Sequence, residues 1–144
     1  MPEISLLSFD PGDLQGILKY ITETGDFLQL VRIGAIMSKE HVEIAFSRSK
    51  RAMQNGVGAR DPRITFMMFL TGSHQASVAL KRGGLKEGDS RCFAVYTDFH
   101  SLDRLAIAFP GIRILGDGGI PDQDLNREKE MFSSLNSVDL RIHG

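Results

Sequence analysis

The sequence of 144 residues is poor in cysteine and has no long apolar run. Its single cysteine, Cys92, excludes an internal disulfide and a cysteine-rich zinc site. No apolar run approaches the roughly 18 residues that a membrane-spanning helix needs. The N-terminus Met1-Pro2-Glu3 lacks the basic start of a signal peptide. We therefore expect a cytoplasmic protein that does not enter the membrane.

The overall composition is that of a folded domain. Hydrophobic residues make up 42% of the chain and charged residues 24%, which argues against a disordered tail or a coiled coil. Domains usually contain about 100–150 residues, so the length predicts one domain over residues 1–144.

The charges are distributed unevenly, although the net charge is only -1. The stretch from Lys39 to Lys86 contains nine basic and three acidic residues, a balance of +6. Residues 1–37 and 98–130 each carry -3. This pattern predicts a basic face suited to phosphates, or alternatively the solvated face of a helix.

Helical and extended patterns alternate along the chain. Asp13 precedes a helical pattern that Gly25 ends, and Ser38 is a good N-cap for a second helix with an apolar stripe. The apolar run from Ile64 to Leu70 has the pattern of a strand buried on both faces, at the centre of a sheet. Further predicted segments are strands at 4–9, 27–33, 91–97 and 112–115, and helices at 73–80, 101–109 and from Pro121. We expect an α+β fold with a mixed, mostly antiparallel sheet packed with helices, or alternatively a three-layer α/β fold.

No motif indicates catalysis, a metal site or a cofactor. The four histidines are scattered, and Ser47-Arg-Ser-Lys50 lacks the partner motifs of serine acyl-transfer enzymes. The glycine-rich turns at 56–58 and 116–119 are not phosphate-binding loops, because no Gly-Lys-Ser/Thr follows them. Cys92 lies in an apolar segment, which predicts a buried, inert thiol. We therefore expect a protein without enzymatic activity.

The most suggestive feature is the junction Leu70-Thr-Gly-Ser-His-Gln75. A strand that runs into a helix through small residues points backbone N–H groups outward, where they attract a phosphate or a carboxylate. His74 and Gln75 flank this position with donors, and Lys81 and Arg82 add positive charge on the same helix. The alternative is a capped helix that binds nothing.

Residues 37–89 resemble the small regulatory subunit of the KEOPS complex. The resemblance rests on Gly34-Ala-Ile-Met37 with the helix that follows, on Gly56-Val-Gly-Ala-Arg60, and on the junction with its helix to Gly88. Members of that family commonly have the sequence Ser-Gly-Thr-Arg-Gln-Ile at the junction. This chain has His74 in place of the arginine.

The resemblance implies a non-catalytic subunit without cofactors. In that family the subunit binds and activates the small kinase-like ATPase of the complex and helps recruit tRNA by its 3′ CCA end. The complex makes threonylcarbamoyladenosine, and its other subunits would be indirect partners. The residues that we expect to contact tRNA are Lys50, Arg51, Arg60, Ser73, His74, Gln75, Lys81 and Arg82. Few aromatic residues interleave with them, which argues against tight autonomous RNA binding.

The C-terminal stretch 137–144 is a candidate partner-binding tail. Its apolar residues are Val138, Leu140 and Ile142, and exposed apolar groups on a tail often mark an interface. The alternative is an edge strand of the domain's own sheet. Two other functions compete with the KEOPS interpretation: a small phosphorylated-metabolite-binding domain or enzyme that uses Thr71–Gln75, and an interaction module indifferent to RNA.

Overall fold

Four strands and five α-helices make up residues 1–123, the part of the chain that the computed structural model describes. The strands are β1 (Glu3–Ser8), β2 (Leu28–Val31), β3 (Arg91–Tyr96) and β4 (Arg113–Ile114). The helices are α1 (Leu14–Thr24), α2 (Lys39–Gln54), α3 (Pro62–Thr71), α4 (Ala76–Gly83) and α5 (Phe99–Ala108). The chain divides into a sheet unit, Met1–Ile33 with Leu85–Gly119, and a helical unit, Gly34–Gly84 with the described residues 120–123.

The sheet unit contains an antiparallel sheet with the strand order β2-β3-β1-β4. Leu7 of β1 lies opposite Cys92 of β3, and Leu30 of β2 lies opposite Ala94 of β3. The segments β1-α1-β2 and β3-α5-β4 form two split β-α-β arrangements within this sheet. The predicted α+β class with a mostly antiparallel sheet is therefore confirmed, and the three-layer α/β alternative is not adopted.

One face of the sheet packs against α1 and α5. Side chains alternate between the two faces of a strand, so Leu7, Leu30 and Ala94 share one face. They form an apolar core with Ile17 of α1 and Leu105 of α5. The predicted helix after Asp13 and its end at Gly25 are confirmed, and Gly25 has the left-handed conformation (φ 76°) that favours glycine.

The helical unit begins with α2 as the sequence predicts. The Ser38 hydroxyl accepts a hydrogen bond from the His41 backbone N–H at 3.0 Å, and Val42 and Ala45 of the predicted apolar stripe are fully buried. The first two amides of α2 donate to carbonyl oxygens of the segment after the sheet unit: Lys39 N to Pro121 O at 3.0 Å and Glu40 N to Asp122 O at 3.2 Å.

The predicted strand at 64–70 is wrong, because this segment belongs to α3. Asp61 is the N-cap of the helix and accepts from the Arg63 N–H, Pro62 occupies the first turn, and Gly72 ends the helix at φ 70°. Eight of its ten residues are buried. A helix that is buried nearly all round shows no polar face, so its sequence resembles that of a buried strand.

Two predictions fall wholly or mostly outside the described residues. The stretch 137–144 with Val138, Leu140 and Ile142 lies outside them, as does most of the predicted last helix. Residues 121–123 are described and are not helical. In the described part of the chain, no helix is long and apolar enough to cross a membrane.

Candidate nucleic-acid interface

The two units differ in charge. Gly34–Gly84 contains eight basic and three acidic residues, a net charge of +5, and Asp122 brings the described residues of the helical unit to +4. The sheet unit contains six basic and ten acidic residues, a net charge of -4. All eight residues predicted to contact tRNA belong to the helical unit, and seven of them have exposed side chains.

Helices α2 and α3 form an antiparallel hairpin that sets where these residues lie. At one end, His41 near the start of α2 contacts Leu70 near the end of α3. At the other end, the Thr65 hydroxyl of α3 lies 3.3 Å from the Met53 sulfur of α2. At a rise of 1.5 Å per helical residue, the two contacts lie about 18 Å apart along α2 and about 8 Å apart along α3. The candidate residues are therefore divided between two ends of one hairpin.

His41 connects three segments at the first end. Its side chain is fully buried, Nδ1 accepts from the Met37 N–H at 3.2 Å, and Nε2 lies 2.9 Å from the Leu70 carbonyl oxygen. Because Nδ1 is an acceptor, the proton of the neutral ring lies on Nε2, which donates to Leu70. Burial lowers the pKa of His41, and the hydrogen bond to Leu70 opposes only part of that effect. His41 thus holds the end of α3 as a neutral ring.

The α3–α4 junction follows directly after this contact. The Ser73 N–H donates to the Met68 carbonyl, as in a Schellman helix end, and the N–H of the left-handed Gly72 donates to the same carbonyl, as in the αL motif. The junction therefore connects two helices, and the expected strand-to-helix turn is corrected. Its phosphate-binding potential comes only from the start of α4.

Ser73 has a different role from the exposed residues around it. Its side chain is buried, and its hydroxyl bonds with the Gln75 backbone, accepting from N at 3.2 Å and donating to O at 3.1 Å. The predicted N-cap position belongs to Gln75 instead. Ser73 orders the turn, while His74 and Gln75 are exposed.

The start of α4 has backbone donors without a side-chain cap. Gln75, the N-cap, makes no side-chain cap hydrogen bond to this helix, as far as the described residues go. Lys81 and Arg82 lie in the last turn, about 10 Å along the helix from Gln75, and both are exposed. His74 precedes the N-cap and so lies outside the helix, and its side chain is also exposed.

The second group of candidates lies at the other end of the hairpin. Lys50 and Arg51 are exposed in the second half of α2, and Arg60 is exposed in the loop between α2 and α3. The Thr65 hydroxyl fixes this loop by donating to the Ala59 carbonyl at 3.1 Å.

Arg63, at the same end, is held by a carboxylate. Its guanidinium donates to both Asp61 oxygens, at 3.2 Å and 3.0 Å, and its side chain is buried. Burial by itself raises the pKa of Asp61, but the hydrogen bonds from Arg63 and its charge outweigh burial and hold that pKa below its usual value. Arg63 and Asp61 thus stabilise the start of α3. This pair was not predicted from the sequence, although Asp61-Pro62-Arg63 is a recognisable helix start.

Base stacking has little support in the helical unit. The aromatic residues of Gly34–Gly84 are Phe46, Phe66 and Phe69; the last two are fully buried and Phe46 is half-buried, in edge contact with Phe66 at 6.4 Å. Phosphate contacts would therefore dominate any RNA binding here, and such binding is strongly salt-dependent.

The sheet unit contains a separate cavity that none of the predicted site residues lines. Its volume is about 280 Å³, and its lining is Arg32, Ile33, Gly88, Asp89, Ser90 and Arg91. The nearby Cys92 is fully buried, as predicted; burial, together with the charge of Asp89, raises the pKa of its thiol to about 12. No group of three or more potential metal ligands occurs among residues 1–123.

No protein-family model matches the chain, and no curated protein matches it either. Its function is therefore inferred from the residues and contacts described above.

Proposed function

We propose that this chain is a non-catalytic subunit of the KEOPS type, which binds tRNA through its helical unit and a kinase-like ATPase through its C-terminal residues. The observation that carries the proposal is the segregation of charge. The segment Gly34–Gly84, with a net charge of +5, contains most of the stretch that resembles the KEOPS subunit and all the candidate RNA contacts, whereas the sheet unit is acidic.

The start of α4 supports the proposal independently of net charge. Backbone amides at the first turn of a helix attract phosphates, and exposed His74, Gln75, Lys81 and Arg82 surround or extend this position. Single-stranded RNA ends are held by phosphate contacts together with stacking on the bases. The lack of an exposed Phe, Tyr or Trp in Gly34–Gly84 fits a subunit that recruits tRNA only with its partners.

Lys81→Glu/Arg82→Glu tests the RNA surface. We expect at least tenfold weaker tRNA binding, because two phosphate contacts are lost and two repulsive charges are added. Filter binding across a salt series measures both affinity and slope, and the slope of log affinity against log salt should become shallower by roughly 1–2.

The matched control is Lys19→Glu/Arg113→Glu. Both residues are exposed in the sheet unit, and the net charge changes by the same amount. We expect less than a twofold change in tRNA affinity for this variant. Equal weakening by the two variants would show that only net charge matters, which contradicts a binding surface on the helical unit.

Removal of the tRNA 3′ CCA end tests the KEOPS assignment itself. Binding by the protein together with its kinase-like ATPase should weaken, and ATP hydrolysis should depend on intact tRNA. If nucleotides or sugar phosphates alone stabilise the chain through Thr71–Gln75 and tRNA has no effect, the metabolite-binding alternative is correct. Stimulation of the ATPase without any RNA dependence would favour the interaction module.

A further inference from the structure

The end of α2 contains the one Asn-Gly sequence of the chain, Asn55-Gly56. An asparagine before a glycine is prone to spontaneous deamidation, because glycine has no side chain to hinder the attack of its own nitrogen on the asparagine amide. Both residues are exposed. Within residues 1–123, the side-chain amide of Asn55 makes no hydrogen bond that would hold it in place. The reacting group is therefore accessible.

The folded helix end keeps the two reacting atoms apart. The Gly56 N–H donates to the Met53 carbonyl at 3.0 Å and the Val57 N–H to the Ala52 carbonyl at 2.9 Å, the Schellman pattern with a left-handed Gly56 at φ 72°. Ring closure needs the Asn55 side chain and the Gly56 nitrogen on the same side of the Cα–C bond. At the observed ψ of 9° they are not. The reaction therefore requires this last turn to open.

The last turn of α2 lies outside the core. Gln54, Asn55 and Gly56 are exposed, whereas Ala52 just before them is fully buried. An added Cβ at Gly56 would meet no atom of the described residues within 4 Å, so the position is surrounded by open space. Helix ends open at a free energy far below that of global unfolding. Opening of this turn therefore leaves the packed part of α2 in place.

Asp117-Gly118 in the sheet unit forms a contrast with this site. An aspartate before a glycine closes the same type of ring. Asp117 Oδ1 accepts a hydrogen bond from the Gly119 N–H at 2.9 Å, and an added Cβ at Gly118 would lie 2.9 Å from the Phe93 ring. The carboxylate is thus held and the backbone closely packed. These surroundings hinder the ring closure that the end of α2 allows.

We propose that Asn55 is a site of spontaneous deamidation, which proceeds when the last turn of α2 opens. The Gly56 nitrogen loses its proton and bonds to Asn55 Cγ. The Cγ–Nδ2 bond breaks, and the side-chain nitrogen takes up that proton and leaves as ammonia. Water then opens the resulting succinimide at either of its carbonyl carbons, giving aspartate or isoaspartate. A neutral side chain becomes a carboxylate, and isoaspartate also lengthens the backbone by one carbon atom.

The new carboxylate lies at the basic end of the α2–α3 hairpin. The Asn55 N–H donates to the Arg51 carbonyl at 3.1 Å, so the exposed Arg51 is one helical turn away, and Lys50 and Arg60 are exposed at the same end. The carboxylate lowers the positive potential of this end. It also lies at the C-terminus of α2, where the helix dipole disfavours negative charge. Deamidation therefore weakens both the charge and the closure of this helix end.

Incubation of the full-length chain at pH 8 and 37 °C, followed by peptide mapping with mass spectrometry, tests the proposal. We expect first-order conversion of Asn55 with isoaspartate as the major product. Conversion should be several-fold faster in guanidinium chloride, where the Gly56 N–H is free. If the folded chain retains Asn55 over the time in which the unfolded chain converts fully, or if both convert at the same rate, the proposal is wrong.

Asn55→Gln is the matched control, because glutamine keeps an exposed amide but its longer side chain closes a ring far more slowly. This variant should show no modification at position 55 in the same incubation. Isoaspartate should form more slowly at Asp117 than at Asn55. Faster formation at Asp117 would contradict the role assigned to the open helix end.

The effect on RNA, unlike the modification itself, rests on the proposed function. Asn55→Asp has the aspartate product at this position and should bind tRNA about two- to fivefold more weakly, whereas Asn55→Gln should bind it as the unchanged protein does. Unchanged affinity of Asn55→Asp would remove this end of the hairpin from the RNA surface, while peptide mapping decides on the deamidation. The two proposals can therefore fail separately.

Discussion

His41 is the side chain whose role changes most between sequence and structure. In the sequence it is one of four scattered histidines without a metal-binding pattern. In the structure its ring joins the Met37 amide to the Leu70 carbonyl and so fixes the end of α3 next to the junction. Protonation of Nδ1 would place two donors against each other, so the folded chain requires the neutral ring.

Acidification should destabilise the protein through His41. Its pKa in the folded state lies below the unfolded value of about 6.5, so the unfolded chain binds the proton more readily. The contribution of His41 to the free energy of unfolding is complete above about pH 6.5 and is lost as the pH falls through the lowered folded pKa. Urea unfolding at pH 7.5, 6.5 and 5.5 measures this loss.

His41→Gln separates this effect from the carboxylates that titrate in both proteins. Glutamine retains a donor for Leu70 but does not titrate, and the amide of Met37 loses its acceptor. We expect a loss of about 1–3 kcal/mol at pH 7.5, typical of an unsatisfied buried polar group. The difference between the two proteins should narrow as the pH falls. Parallel stability curves for the two proteins would contradict the role assigned to His41.

Among the elements, the loop between α2 and α3 has a conformation that only glycine suits. Gly58 has φ 104°, and a Cβ there would lie 2.9 Å from the Thr65 methyl group. We expect Gly58→Ala to destabilise the protein by about 1–3 kcal/mol, through backbone strain and the contact with Thr65. Thermal unfolding should show a fall in Tm of several degrees.

Gly34→Ala is the control for this prediction. Gly34 belongs to the same unit, its φ is not positive, and no atom of the described residues lies within 4 Å of an added Cβ. Its effect should stay within about 0.5 kcal/mol. If Gly58→Ala and Gly34→Ala lowered the free energy of unfolding equally, glycine would be favoured at position 58 only for its flexibility. The positive φ and the contact with Thr65 would then not explain the loss.

The error at α3 shows where pattern reasoning reaches its limit at the scale of an element. The run Ile64–Leu70 is apolar except for Thr65, and it has neither the alternation of a half-buried strand nor the stripe of an exposed helix. The flanking residues held the better signal: Asp61-Pro62 starts a helix and Gly72 ends one. Methionine, leucine and phenylalanine, rather than β-branched residues, also dominate the run.

At the scale of the whole molecule, the proposal assigns the two partners to different residues. The triple substitution Val138→Asp/Leu140→Asp/Ile142→Asp should abolish stimulation of the kinase-like ATPase, because charged side chains disfavour an apolar interface. Its tRNA affinity, measured without the ATPase, should stay within twofold of the unchanged protein. The reverse pattern is expected for Lys81→Glu/Arg82→Glu. Loss of both functions in both variants would contradict separate partner surfaces.

The fold class, most element boundaries and the positions of the basic residues along the chain could be predicted from local sequence patterns. Local signals suffice for these, because caps such as Ser38 and breaks such as Gly25 act within a few residues. Charge content is likewise a property of the sequence alone.

Which of these residues come together depends on contacts between distant segments. In the folded chain, the basic residues of this segment lie at two ends of the α2–α3 hairpin. The segment predicted as a strand belongs to the buried helix α3, and the Ser73 hydroxyl orders a turn. Arg32 and Arg91, which are 59 positions apart in the sequence, line one cavity. Such contacts depend on burial and on strand pairing between distant segments, which no local pattern encodes.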